Sequence, residues 1–378
     1  VYLVQLEETV TNAGGVVHWA RDAEQANEIV ADLVRRAGAD KVLKVKSITT
    51  DEIGLNRALA DRGITALETD LAELVIQLAG ETSSHFLVPA IHKNRTQIRD
   101  LFEERLKLAD LSDDPVELTK TARMYLRWEF LTAEVAVSGA NFAVAETGTL
   151  CLVENEGNGR MCTTVPDVHI AVTGIEKVIE RLDQVPPLLT LLTRSATGQP
   201  ITTYFNMISR PRQPDEMDGP EAVHLVLLDN GRSRIRVDEE LLDTLRCIRC
   251  GTCINYCPVY VQLGGHAYGT VYPGPIGIAL EPQRIGLDKV GTLTSACTLC
   301  GACGEVCPVK IPLPKLINRL RAEAVDGLRE QSAIQGRGSL RKSGEVAAWK
   351  TWQRLYANPR LYRLFSKAAT RLRWFCLL

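Results

Sequence analysis

The sequence predicts an α/β domain built on a parallel, Rossmann-like sheet over residues 1–240, followed by a small helical, cysteine-rich domain over 241–328. Three observations carry this reading. Strand-like runs alternate with amphipathic helices along the first half, the pattern of a parallel sheet with crossover helices. Eight of the eleven cysteines fall between Cys247 and Cys307. Hydrophobic residues make up 45% of the chain and charged residues 24%, a balance that suits folded domains rather than a disordered chain.

The elements follow in order. VVHWA (16–20) reads as a strand, DAEQANEIVADLVRRAG (22–38) as a helix closed by Gly38, and KVLKV (41–45) as a second strand. A helix over 49–63 and the strand ITALE (64–68) come next. Two longer helices are expected: 94–110, and another from the Asp114-Pro115 start to about Val137. The pattern then turns to strands: FAVAE, TLCLVE, VHIAV, ITTYF and VHLVLLD. Residues 209–221, rich in proline and charge, read as an exposed loop. Short helix 238–246 leads into the cysteines and helix 313–325 leaves them, before a polar linker or lid at 330–345.

The net charge of −2 gives no general attraction to nucleic acid or a membrane. No run of eighteen apolar residues is present. The start, VYLVQLEETV, has neither an initiating Met nor the pattern of a signal peptide, so the true N-terminus is expected to lie upstream. Clustered cysteines without a secretory signal point to metal in a reducing, cytoplasmic setting.

Both CIRCGTCINYCP (247–258) and CTLCGACGEVCP (297–308) match C-x₂-C-x₂-C-x₃-C-P. Three thiolates two residues apart can wrap a 4Fe–4S cubane, and small residues after the second cysteine (Gly251, Thr252; Gly301, Ala302) allow close backbone approach. Zinc sites would draw on two separated pairs, which a triple spacing repeated twice does not resemble. In two-cluster proteins of this spacing the fourth cysteine ligates the other cluster. Two 4Fe–4S clusters are therefore expected: Cys247, Cys250, Cys253 and Cys307 hold one, and Cys297, Cys300, Cys303 and Cys257 the other. The longer stretch between the motifs contains GGHAYGTVYPGPIG (264–277), expected to wrap over one cluster. Cys151 reads as plain core, Cys162 as half-exposed and Cys376 as part of the terminal segment.

Read outward from these motifs, the chain resembles the lactate utilization protein B family. KVKSITTDEIGLNRAL (44–59), SGANFAVAETGTLCLVENEGN (138–158), HLVLLDNGRSRI (224–235) and GGHAYGTVYPGPIG carry the resemblance, which runs nearly end to end. It implies that residues 1–240 form a LUD domain, related to the sugar-isomerase and CoA-transferase fold, followed by a ferredoxin-like domain with two 4Fe–4S clusters. It also implies a role as the electron-transfer subunit of a complex oxidising L-lactate to pyruvate. The implied partners are a cysteine-rich subunit of the heterodisulfide-reductase type and a second LUD-domain protein. The family's chains usually extend before Val1 and past Leu378. The competing reading is a redox- or metabolite-sensing regulator whose LUD domain binds a ligand.

Within the first domain, three polar turns could hold a carboxylate or phosphate: Glu146 to Thr149, Asn155 to Asn158 with Arg160, and Asp229 to Ser233. Each also reads as a tight turn needing Gly or Asn, and that reading is preferred. By analogy with CoA-transferases, Glu146 or Glu156 would be a nucleophile, but fold analogy does not establish chemistry. His85, His92, His169 and His224 border apolar runs and read as core or edge histidines, with His169 and Arg160 the best candidate base and anchor. No glycine turn follows VVHWA, which argues against a nicotinamide site.

The third region, 329–378, ends in a basic, aromatic stretch without an acid from Val346 onward. Pro359 should divide it into two helices, with Asn358 as cap. Such helices can lie on a membrane surface or dock on a partner. Packing on a partner or on the chain itself is the favoured expectation, with any membrane association arising through partners.

Overall fold

The computed structural model describes residues 1–326, 334 and 343–372. Most of the segment read as a linker or lid, and Cys376, lie outside the described residues. Ten strands are present among the described residues: β1 (Val16–Ala20), β2 (Lys41–Lys44), β3 (Thr65–Glu68), β4 (Val135–Ser138), β5 (Phe142–Val144), β6 (Thr149–Glu154), β7 (Val168–Gly174), β8 (Val178–Ile179), β9 (Tyr204–Ile208) and β10 (Ala222–Leu228).

Six strands form an all-parallel sheet in the order β1-β10-β7-β4-β2-β3. Helix Ala23–Arg36 and the two short helices after β2 cover one face through Val30, Val34, Leu55 and Leu59. Helices Leu71–Ala79, Arg95–Leu106 and Pro115–Thr132 cover the other through Leu74, Phe102, Leu118 and Leu126. Both faces are dry, so the strands read as continuous apolar runs. A second, mixed sheet, β8-β5-β6-β9, packs beside this layer. The α/β domain with a parallel sheet is thus the fold.

Several elements differ from expectation. The helix from Pro115 ends at Thr132, where Ala133 is extended (ψ 133°), and Val135–Ser138 is a central strand buried at every position. A short apolar run buried on both sides has no period that separates it from a preceding helix. The helix expected over 49–63 is two, Ile48–Glu52 and Leu55–Ala60, parted by Gly54 at φ 63°. Helices Leu71–Ala79 and Val185–Thr197 were not legible as elements. Helix Arg95–Leu106 starts at Asn94 in a capping box with Gln97.

The cysteine-rich unit is helical and has its own core, in which Ile276, Ile278, Ala279, Leu316, Ile317 and Leu320 pack around the cysteines. It docks on the loop after helix Leu71–Ala79. The Ser84 carbonyl accepts from the Tyr260 hydroxyl (2.9 Å), the Ser84 hydroxyl accepts from Gly265 N–H (3.2 Å), and Phe86 enters the core. A Cβ on Gly265 would stand 1.6 Å from the Ser84 carbonyl oxygen. Gly265→Ala should therefore cost about 2 kcal/mol or more of stability, read as a lowered thermal midpoint. An unchanged midpoint would mean that this docking contact does not form.

At the C-terminus, helices Ser343–Ala357 and Pro359–Leu372 are parted at Pro359. Asn358 Oδ1 accepts from Arg360 N–H (3.0 Å), as a cap does. Trp349, Trp352, Leu364 and Phe365 are exposed.

Candidate functional site

The two cysteine motifs adopt the same backbone course. Arg249 and Leu299 are left-handed (φ 62° and 57°), as are Gly251 and Gly301 (φ 74° and 90°). One-turn helices Thr252–Asn255 and Ala302–Glu305 follow. Cys257 and Cys307 then each precede a proline. This course brings Cys247, Cys250, Cys253 and Cys307 to one cavity, closed by Phe86, Ile248, Ile276, Ile311 and Leu313. Burial, then Cys297, Cys257 and Cys300 close by, pushes the Cys303 thiol up to about 12.

The donor chemistry fits an iron–sulfur cluster. The ten described cysteines are all free thiols. Ile311 N–H donates to Cys307 Sγ and Leu299 N–H to Cys297 Sγ, each at 3.3 Å, as amides do toward cluster thiolates. The cavity among the first four cysteines is lined otherwise by apolar side chains and glycine or proline. Among the described residues no three His, Cys, Asp or Glu gather as a single metal ion needs. Sulfurs spread around a cavity suit a polynuclear cluster.

The other two described cysteines lie elsewhere. Burial raises Cys151, in β6, to about 11. Cys162 is fully buried rather than half-exposed, because helix Asn158–Thr164 lays it against Thr69 (3.7 Å), and its thiol rises to about 12.

An ionic cluster joins the first cysteine loop to the α/β domain. Arg232 places Nη1 and Nη2 on the two Glu52 oxygens (2.9 and 3.0 Å) and Nε on Glu176. From the cysteine-rich unit, the Tyr272 hydroxyl donates to Glu52 (2.7 Å) and Arg284 reaches it at 3.5 Å. Arg249, between two cysteines, lies 3.5 Å from Glu176 and stacks its guanidinium 4.6 Å from the Tyr272 ring centre. Lys177 Nζ donates to the Cys247 carbonyl (3.1 Å). The Asp229–Ser233 turn is thus committed to this clamp: Asn230 also donates to Glu52 (2.7 Å), and Asp229 accepts from Ser233. It is a domain contact, not a ligand loop.

A larger cavity of about 330 Å³ opens at the C-terminal ends of β2, β4 and β7, the edge at which open α/β sheets bind ligands. Residues Lys46–Thr49 follow β2, Gly139–Asn141 follow β4, and Lys177 follows β7; Ile248, Arg249 and Asn255 of the first cysteine loop close the far side. Of the expected turns, only Asn155, Glu156 and Asn158 reach it. Glu156, pushed to about 7 by burial and then by Asp70, accepts from Leu71 N–H (3.0 Å). Arg160 instead stacks on Tyr204 (5.0 Å), while His169 is buried beside Ser138 (2.7 Å), so that pair does not form. Glu146 accepts from Leu182 N–H (3.0 Å) and belongs to a turn.

The remaining histidines are structural. His85 Nδ1 accepts from Leu87 and Val88 N–H (3.0 and 3.2 Å), so Nε2 donates to Asn255 (3.0 Å) and the ring stays neutral. His92 donates to Glu81 (2.8 Å), and His224 faces His18 (3.2 Å). Lys46, Lys177 and Arg249 were not singled out from sequence. The one signal was an arginine inside CIRC where the second motif has Leu299.

Comparison with known proteins agrees with this layout. The LUD domain family matches residues 3–228, the 4Fe-4S dicluster domain 243–311, and the C-terminal domain of lactate utilisation protein B 319–376. These spans define a LUD-domain iron–sulfur protein. Lactate utilization protein B of Bacillus thuringiensis (strain Al Hakam) is 45% identical over 368 residues, covering 97% of this chain and 75% of that protein. The uncharacterized electron transport protein YkgF of Escherichia coli K12 is 48% identical over 338 residues, 88% of this chain and 71% of its own. The chain belongs to the lactate utilization protein B family. A crystal structure of a DUF162 family protein from Deinococcus radiodurans aligns with a TM-score of 0.35 at 15% identity, over 60% of this chain and 96% of its own. Among the described residues no helix is long and apolar enough to cross a membrane.

Proposed function

We propose that this protein is the iron–sulfur electron-transfer subunit of a complex that oxidises L-lactate to pyruvate. Cys247, Cys250, Cys253 and Cys307 hold one 4Fe–4S cluster, and Cys297, Cys300, Cys303 and Cys257 hold the second. The observation that carries the reading is the cavity on which the first three cysteines of one motif and the last of the other converge. When bound, each cluster supplies reversible one-electron storage. The chain's own residues exclude water through Phe86, Ile276 and Leu313 and hold both loops against the α/β domain. Lactate oxidation releases two electrons, which two one-electron centres can take in turn.

The names of the relatives support a lactate complex with electron transport. Its other members, in this reading, are a cysteine-rich heterodisulfide-reductase-type subunit and a second LUD-domain protein. The exposed aromatic and basic helices after Ser343 are the surface offered to a partner. Anaerobically purified protein should contain about eight iron and eight sulfide per chain. With both partners present, L-lactate should generate reduced-cluster EPR signals. Absence of reduction in every combination of subunits would overturn the relay.

A further inference from the structure

We propose that the cavity of about 330 Å³ beside the first cysteine loop binds a small organic anion through its carboxylate, and that this anion and the cluster held by that loop sense each other's charge. The proposal rests on the cluster assignment above and adds a ligand site to it. The cavity's volume lies at the small end of small-molecule sites.

The charge within the cavity is uneven. Its acids are already satisfied. Glu154 accepts from Gly159 and Arg160 N–H (both 2.7 Å) and from Asn206 (2.9 Å). Asp70 caps helix Leu71–Ala79, and Glu156 takes the Leu71 N–H. Two cations of the lining, Arg249 and Lys177, keep donors to spare. Arg249 is only 9% exposed, yet its Nη1 has no hydrogen-bond partner among the described residues. A buried guanidinium nitrogen left unpaired is costly, and a carboxylate is its natural complement. Lys177, which also lines the cavity, has three ammonium donors, one of them placed on the Cys247 carbonyl.

Proximity to the cluster follows from shared walls. Phe86 and Ile248 line both this cavity and the one among the cysteines. An anion on Arg249 is therefore separated from the cluster by about one layer of side chains. Reduction adds a negative charge to the cluster, so the anion should bind the oxidised protein more tightly; reciprocally, its binding should make that cluster harder to reduce.

The test uses anaerobic holoprotein with its iron counted. L-lactate, pyruvate and inorganic phosphate are titrated separately by calorimetry, in the oxidised and the dithionite-reduced state. The expected result is one-to-one binding of a carboxylate, weaker by about 5-fold or more after reduction. Lys177→Met and Arg249→Lys should each weaken binding roughly 10- to 100-fold. Because Lys177 also holds the Cys247 carbonyl, iron is counted in both variants before titration; should either lose iron, the redox dependence of binding by the unsubstituted protein still decides. The site is refuted by iron-replete protein that binds neither carboxylate up to roughly 10 mM, or binds phosphate alone. It is equally refuted by affinity that ignores Lys177→Met or the redox state. A preparation lacking iron after anaerobic purification would instead refute the cluster reading, a separate failure.

Discussion

Cys257→Ser protein purified without oxygen is expected to hold about four irons per chain instead of about eight, with the loss falling on the centre held by Cys297, Cys300 and Cys303. Cys257 sits at the start of helix Pro258–Leu263, after the turn that ends its own motif, and belongs with Cys297 and Cys300 to the charges felt by Cys303. Cys307 is its counterpart on the cavity lined by Cys247, Cys250 and Cys253. Cys307→Ser should therefore remove the other centre. EPR of the two variants should show complementary losses. If Cys257→Ser emptied the centre of Cys247, Cys250 and Cys253 alone, the interlocked assignment would be wrong.

The second large effect concerns Glu52, whose side chain is fully buried. Glu52→Gln should destabilise the protein by about 3–5 kcal/mol, because it leaves Arg232 and Arg284 buried without their shared carboxylate. Denaturant unfolding at neutral pH measures this. The same carboxylate makes a pH prediction. Burial pushes the Glu52 carboxyl up, but Arg232 and Arg284 outweigh it and hold it at about 2, below the ordinary 4.5. A lowered folded-state pKa means that the unfolded chain binds the proton more readily. The stabilisation, roughly 3 kcal/mol, is complete above about pH 4.5 and is lost as the pH falls toward 2. The gap between wild type and Glu52→Gln should narrow over that window. The comparison cancels other acid-labile groups, the clusters included; a gap constant with pH would show that the ion pairs do not set this stability.

These effects separate what was legible in the residues from what was not. A cluster loop is a local object. The spacing from Cys247 to Pro258 repeats from Cys297 to Pro308, and both runs place a glycine, Gly251 and Gly301, at a left-handed position, while the other left-handed position is held by Arg249 in one and Leu299 in the other. The capped helices from Asn94 and Asp114 were legible for the same reason, since a cap involves neighbours within four residues. Val135–Ser138 was not, because whether an apolar run continues a helix or enters a sheet depends on β2 and β7 lying on either side.

The sequence by itself determined that this chain has a parallel α/β domain and an iron–sulfur domain. Both follow from short-range patterns: alternation of elements, and thiol spacing that matches cluster loops. Only the tertiary structure decided what the turns and buried charges do. Asp229–Ser233 became part of a clamp, Arg160 and His169 were kept apart, and Lys46, Lys177 and Arg249 were gathered at one cavity. Those outcomes join residues as distant as Glu52 and Tyr272, and their energy depends on burial, which no local spacing encodes.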